Sequence, residues 1–268
     1  MAKVSFIIGT HNGSLKLHDC FLSILNQTYK DYEIIVCNDA SNDDTANILN
    51  DYKLKYPNIF KVIHNENSLG GGLAIALNKC LKLASGRYIA RIDDDDVCYE
   101  FRLEKQVKFL EENTDIDCVG SYIDVFDGSK VTSVRKIVLN PDINTLLNGL
   151  YAFHHPAILI KKDVLQFLNG YDTSSRCHRC EDLDLWYRFF INGFKGYNLD
   201  ESLIKYHETL KDYKKRTYHS VKIAVDLRRY YRKKLKKPFY YDLFYLKTLL
   251  VSLLPNKIRY NLKKRKDY

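Results

Sequence analysis

Apolar residues along the first part of this chain fall in short unbroken runs, then at helical spacing, and the two patterns alternate. "KVSFIIG" (residues 3–9) is a continuous apolar run ended by a turn signal, which predicts a buried strand. A helix is expected from Ser14, its candidate N-cap, because Leu17, Phe21, Ile24 and Leu25 recur on one helical face. "EIIVC" (33–37), "FKVIH" (60–64) and "RYIARID" (87–93) repeat the strand pattern. Helices are expected between and after them at 45–56, in "GGGLAIALNKCLKLASG" and at 100–113.

Strand–helix alternation with continuously apolar strands predicts an α/β fold: a mostly parallel central sheet flanked by helices on both faces. Ligands of such sheets sit beyond the carboxyl ends of the strands. The polar clusters fall there: "THNG", "NDASNDD", "NENSLGGG" and "DDDD" after the four strands in turn. From Cys118 the pattern changes. "CVGSYIDVF", "SVRKIVL" and "PAILI" suggest strands of an antiparallel or mixed region, "EDLDLWYRFFIN" a helix, and "GYNL" and "SLIKY" two short strands. No repeat and no low-complexity linker interrupts the chain.

Charge divides the chain more sharply than apolarity does. Residues 211–268 hold 19 Lys/Arg against 4 Asp, a net of +15, which leaves the first 210 at −6. An acidic body, 1–210, and a basic helical tail, 211–268, are therefore expected. The tail's "FYYDLFYLKTLLVSLL" (239–254) contains Asp242 and Lys247 and is too short and charged to cross a bilayer. Aromatics and leucines between basic clusters suit a helix lying on an anionic membrane surface. A helix packed on the body, or a homodimer contact, is the alternative. Nucleic acid is a poor partner for an acidic body with no recognition module. Seven scattered cysteines and no export signal lead us to expect reduced thiols in a cytoplasmic protein.

The stretch "ARIDDDD" carries the chemistry. Two carboxylates about 5 Å apart repel by ~3 kcal/mol at an effective dielectric near 20. A solvated acidic loop would spread, but this run closes a core strand. Protonation, a nearby arginine or a divalent cation are the remedies. Arg91 lies two residues before Asp93, hence on the same strand face. Hard oxygen donors suit Mg²⁺ or Mn²⁺ with a substrate phosphate.

With these residues the sequence resembles an inverting, family-2 glycosyltransferase of the GT-A nucleotide-sugar-binding fold. The resemblance covers about residues 3–206 and rests on "VSFIIGTHN", "NDASNDDT", "GGGLAIALNKCLKLASGRYIARIDDDD", "RLEKQVKFL", "HHPAILIKKDVL", "GYD" and "CEDLDLWYRF", in that order. It implies that Thr10 and His11 meet the nucleotide base, and that Asp39 accepts a hydrogen bond from uracil. Asp93 and Asp95 match the Asp-x-Asp motif: the first near the ribose, the second holding Mn²⁺ or Mg²⁺ against the diphosphate. Asp94 would support the nucleotide-sugar site and Asp96 cap the next helix. Asp182 would be the general base, with Glu181 its neighbour and acceptor contact. Read without the resemblance, Asp39 suits an Asx-turn, and Glu181-Asp182 suits a helix N-terminus.

The chain departs from the family in places. Gly9 stands where proline is usual, and Asp94 where a small residue is usual. "CHRC" (177–180) lacks the second ligand pair of a structural zinc site, so ordinary acceptor-loop residues are expected there. His154-His155-Pro156 suits ligands or a turn equally. The glycines at 70–72 are explained by a helix start with close backbone packing.

The segment "GGGLAIALN…YIARIDDDD" most resembles the branch building bacterial O-antigen and capsule repeats. That implies transfer of glucose or galactose from a UDP-sugar, often β1,3, to a polyprenyl-diphosphate-linked sugar at the cytoplasmic face of the inner membrane. A sugar-phosphate nucleotidyltransferase would want a glycine-rich basic loop after the first strand, which "GTHNG" lacks. A non-catalytic membrane scaffold fits poorly with Asp39, Asp93, Asp95 and Asp182 all in place.

Overall fold

In the computed structural model, which describes residues 2–68, 72–210 and 217–264, the strands join one mixed, curled sheet. β1 (Val4–Thr10), β2 (Tyr32–Asp39), β3 (Phe60–Asn65) and β4 (Tyr88–Arg91) are mutually parallel, in the order β3-β2-β1-β4. Beyond β4 the sheet turns mixed. β8 (Leu159–Lys161) pairs antiparallel with β4 and β6 (Cys118–Phe126), and β9 (Gly196–His207) runs parallel to β6. β7 (Val131–Arg135) and β5 (Val97–Cys98) are antiparallel additions to β6 and β9.

Alternate strand residues feed two cores, because successive side chains point to opposite faces. Phe6, Ile8, Ile34 and Val36 pack with α1 (Leu17–Leu25), α2 (Thr45–Lys55) and α4 (Arg102–Glu112). Ile7, Ile35 and Ile89 face the other way, onto α3 (Leu73–Leu83), α5 (Ile143–Leu147), α6 (Lys162–Phe167) and α7 (Glu181–Ile191). Each of these fully buried aliphatic side chains stabilises the fold by roughly 1.5–3 kcal/mol in area terms.

Several expected elements shift. The first helix begins at Leu17 without a side-chain cap. Ser14 lies in the preceding turn, its N–H on Asp43 (3.2 Å). "GYNL" and "SLIKY" are one strand, β9, which absorbs Asp200 and Glu201 by a register shift against β6. Gly9 has a packing reason: an added Cβ would lie 2.8 Å from Leu73 Cδ1 and 3.1 Å from the Ala76 methyl. Glycine lets α3 press onto β1 where the family's proline could not sit unmoved.

In the C-terminal segment α8 (Tyr218–Lys234) buries Val225, Leu227 and Tyr231. Its Tyr231 hydroxyl donates to Asp184 (2.6 Å), the Tyr231 ring stacks on Tyr187 at 4.4 Å, and Arg228 donates to the Leu146 carbonyl. α9 (Tyr241–Ser252) and α10 (Asn256–Lys264) follow. Among the described residues no helix is long and apolar enough to cross a membrane. Residues 70 and 71 of the glycine run, and 211–216 at the head of the tail, lie outside the described residues.

Candidate active site

The parallel register sets the carboxyl ends of β1 and β2 side by side, with Thr10 opposite Asn38, and Asp39 opposite Asn65 of β3. His11 Nδ1 lies 2.7 Å from the Asp39 carbonyl, the Asn12 N–H donates to Ser41 Oγ (2.9 Å), and Asn12 Oδ1 accepts from the Asn42 N–H. Asn12 (φ 57°) and Ala40 (φ 52°) are both left-handed, a conformation that costs an alanine about 1 kcal/mol. Two facing loops thus hold strained backbone at the same rim, a common mark of binding sites. An open cleft beside them is lined by Asn38, Ser41, Asn42, Asn50, His64 and Asn65.

The four aspartates do not act as a block. Asp94 turns toward the first loop and accepts from Thr10 Oγ1 (2.5 Å). Burial pushes its carboxyl up to about 6, against the pull of that bond. Gly13 makes this closure feasible, since an added Cβ would sit 2.4 Å from Thr10 Oγ1 and 2.5 Å from Asp94 Oδ2. Asp93, Asp95 and Asp96 converge instead, each offering an oxygen within 4.8 Å of the others. Asp93 is ion-paired with the buried guanidinium of Arg91, and that pairing holds Arg91 well above its ordinary value despite desolvation. Asp96 does not cap the next helix, whose N-cap is Phe101. It is fully buried, accepting from the His207 N–H (2.8 Å) through Oδ1, while Oδ2 has no hydrogen-bond partner. Burial, then repulsion from Asp93 and Asp95, push its carboxyl well up.

Two residues that sequence reasoning passed over complete this cluster. Lys16 Nζ lies 2.7 Å from His207 Nδ1 and 3.7 Å from Asp95 Oδ2, and His207 Nδ1 is also 3.7 Å from Asp95. A lone histidine ending a strand carries no local signal. It arrives here because β9 pairs with β5, directly after the aspartates. The cluster fits a divalent cation: three convergent carboxylates, one buried oxygen without a partner, and an imidazole alongside.

The second acidic group opens α7. Burial, and then repulsion from Asp182, lift Glu181 to about 7, while burial also raises Asp182, whose Oδ1 accepts from the Leu183 N–H (2.8 Å). The guanidinium of Arg91 opposes the rise at both, and the Asp93 charge adds to it at Glu181, so the two acidic groups share one electrostatic field. Asp184, the third acid of this turn, is structural, held by Arg188 Nε (2.6 Å) and Tyr231.

The other candidates are structurally engaged. His155 is buried against Tyr171 OH (2.9 Å), and burial pushes its ring well down, leaving it neutral. His154 Nε2 lies 3.2 Å from the Arg135 carbonyl. Cys177 and Cys180 are buried free thiols. Burial raises both, Cys177 up to about 12, which disfavours the thiolate that metals and redox partners need.

A parallel sheet half with polar loops at its carboxyl end, joined to a mixed half bearing a carboxylate turn, matches the GT-A class of glycosyltransferase folds. The family model described as "Glycosyl transferase family 2" matches residues 5–167, and the chain belongs to that family. It is 38% identical over 265 residues to a Bacillus subtilis (strain 168) protein bearing the glycosyltransferase name EpsE, covering 98% of this chain and 94% of that one. Over 111 residues it is 40% identical to the Escherichia coli "UDP-Glc:alpha-D-GlcNAc-diphosphoundecaprenol beta-1,3-glucosyltransferase WfaP", covering 41% of this chain and 42% of that protein. The crystal structure of S. aureus TarS 1–349 in complex with UDP superposes with a TM-score of 0.65 at 20% identity, over 84% of this chain and 65% of that one.

Proposed function

We propose that this glycosyltransferase moves a hexose from a UDP-sugar, with inversion, to a hydroxyl of a polyprenyl-diphosphate-linked sugar. This is a step of bacterial surface polysaccharide assembly at the cytoplasmic face of the inner membrane. A β1,3-glucosyl or galactosyl transfer is the specific form. The observation that carries the reading is the pairing of a convergent carboxylate cluster with a separate, desolvated acidic pair in one field. The name of WfaP, with its UDP-glucose donor and lipid-linked acceptor, supports the choice of substrates.

In this reading residues 1–210 are the transferase domain and 211–268 the membrane-associated tail. The rim formed by Thr10, His11 and Asp39 takes the uridine. Asp95 would hold the divalent cation; Asp93, expected near the ribose, converges with Asp96 on the same point and would join it there, with His207 alongside, and Asp94 ties the first loop down through Thr10. A bound Mn²⁺ or Mg²⁺ would neutralise charge on the departing diphosphate. Asp182 accepts the proton of the acceptor hydroxyl as that oxygen bonds to the anomeric carbon and the bond to the diphosphate oxygen breaks. Its raised affinity for protons suits a general base, which works best near ambient pH. Glu181, near half-protonated at neutral pH, offers the acceptor a hydrogen bond. Backside attack turns an α-linked donor into a β-linked product, and holding both substrates lowers the entropic barrier.

The test is a screen of labelled UDP-glucose, UDP-galactose and their N-acetyl forms, with Mn²⁺ and a lipid-diphosphate sugar acceptor. Product linkage and UDP release are the readouts. Absence of UDP binding in the presence of Mn²⁺ overturns the reading.

A further inference from the structure

Helix α9 is apolar on two faces. Tyr241, Tyr245 and Ser252 turn inward, with the Tyr245 hydroxyl donating to the Leu147 carbonyl (2.9 Å). Leu243, Phe244, Leu246, Leu250, Leu253 and Leu254 are exposed, Leu243 at 65% and Leu253 at 67%. An outer face this rich in leucine and phenylalanine calls for a cover other than water. This surface continues onto the body: Phe244 Cβ lies 3.7 Å from where a Cβ of Gly149 would stand. The next two residues, Leu150 and Tyr151, are 51% and 66% exposed.

The charges nearby say what covers it. Exposed Lys233, Lys234 and Lys236 stand at the end of α8, Lys247 on the outer face of α9 itself and Lys257 just beyond it. The one acid of α9, Asp242, is paired with Arg232 (2.8 Å). Twelve residues make about 18 Å of helix, far short of a ~30 Å hydrocarbon core. Exposed leucine and phenylalanine with lysines among and beside them match a helix lying on anionic lipid.

We infer that the outer face of α9, together with Leu150 and Tyr151, is a docking surface for an anionic bilayer, with α9 lying in the interface plane. The inference deepens the proposed function by making the body itself part of the membrane contact. Tyr151 precedes His154-His155 by three residues, and His155 bonds Tyr171 beside the Arg91 field.

Flotation of the full chain with phosphatidylglycerol/phosphatidylethanolamine vesicles, against phosphatidylcholine vesicles, tests it. Binding to the anionic vesicles should be at least about tenfold tighter and should weaken in 0.5 M salt. Phe244→Glu with Leu250→Glu should reduce it about tenfold. Replacing Lys233, Lys234 and Lys236 by Gln should do the same with the melting temperature unchanged. Absence of vesicle binding, equal binding to both lipids, or either variant binding as tightly as the parent overturns the inference. So does a dimer by light scattering that the Phe244 and Leu250 changes dissociate, since a second copy then covers the face. Turnover on a short-chain soluble acceptor, read in parallel, separates the outcomes: turnover without vesicle binding sinks the docking surface alone, and vesicle binding without UDP binding sinks the transferase reading alone.

Discussion

The β4–β5 turn and the first turn of α7 both crowd carboxylates, yet different groups surround them. At the first, positive and polar groups answer the charge: Arg91 on Asp93, Lys16 and His207 beside Asp95, the His207 N–H on Asp96. At the second, Glu181 and Asp182 face burial and each other, with the Arg91 charge and the Leu183 N–H as counterweights, and both bind protons more tightly than ordinary acids, as the buried Asp94 and Asp96 do at the first. In the proposed mechanism the same residue type would hold a cation in one place and accept a proton in the other. The difference lies in what was built around it.

The comparison breaks first at Asp182. Asp182→Asn should lower kcat by about 10²–10⁴-fold while calorimetric UDP affinity stays constant, and near-normal turnover would return α7 to a purely structural role. Next is the charge joining the two groups. Arg91→Met leaves Asp93 without its buried partner and should cost about 3 kcal/mol, read as a lowered urea midpoint. Asp95→Asn should weaken UDP binding at least about tenfold with Mn²⁺ present and little without it, whereas Asp182→Asn should show no such split.

The smallest effect sharpens the contrast through pH. The folded chain holds Glu181 at about 7 against an ordinary 4.5, so it binds that proton more tightly than the unfolded chain does. The stability this contributes is fully present below about 4.5 and is lost as pH rises through about 7. Glu181→Gln should therefore gain about 1–2 kcal/mol on the parent between pH 5 and pH 8, measured by urea melts at both.

The four strand–helix units were legible because strands buried on both faces are continuous apolar runs, with little else they can be. Ser14 misled because a serine before a helical pattern looks like a cap. Here the Gly13 carbonyl takes the Lys16 and Leu17 N–H groups, and the helix starts later. β9 read as two pieces, since Asp200-Glu201 breaks the pattern where the chain bulges. In the site, the acidic residues announced themselves by density and motif. The convergence of Asp93, Asp95 and Asp96, the turn of Asp94 onto the first loop, and the arrival of His207 and Lys16 depend on pairings about 80 to 200 residues apart.

The Tyr231–Asp184 bond has a practical corollary for anyone shortening this polypeptide. A cut ahead of α8 strips the hydroxyl and the stacked ring from the helix that begins with Glu181-Asp182, and uncovers Val225's and Leu227's packing partners. A cut after Lys237 keeps those contacts and deletes the exposed leucines, yet it also takes the buried Tyr241 and Tyr245 out of the core and the Tyr245 hydroxyl off the Leu147 carbonyl, so trimming the tail for solubility draws on the stability of the body.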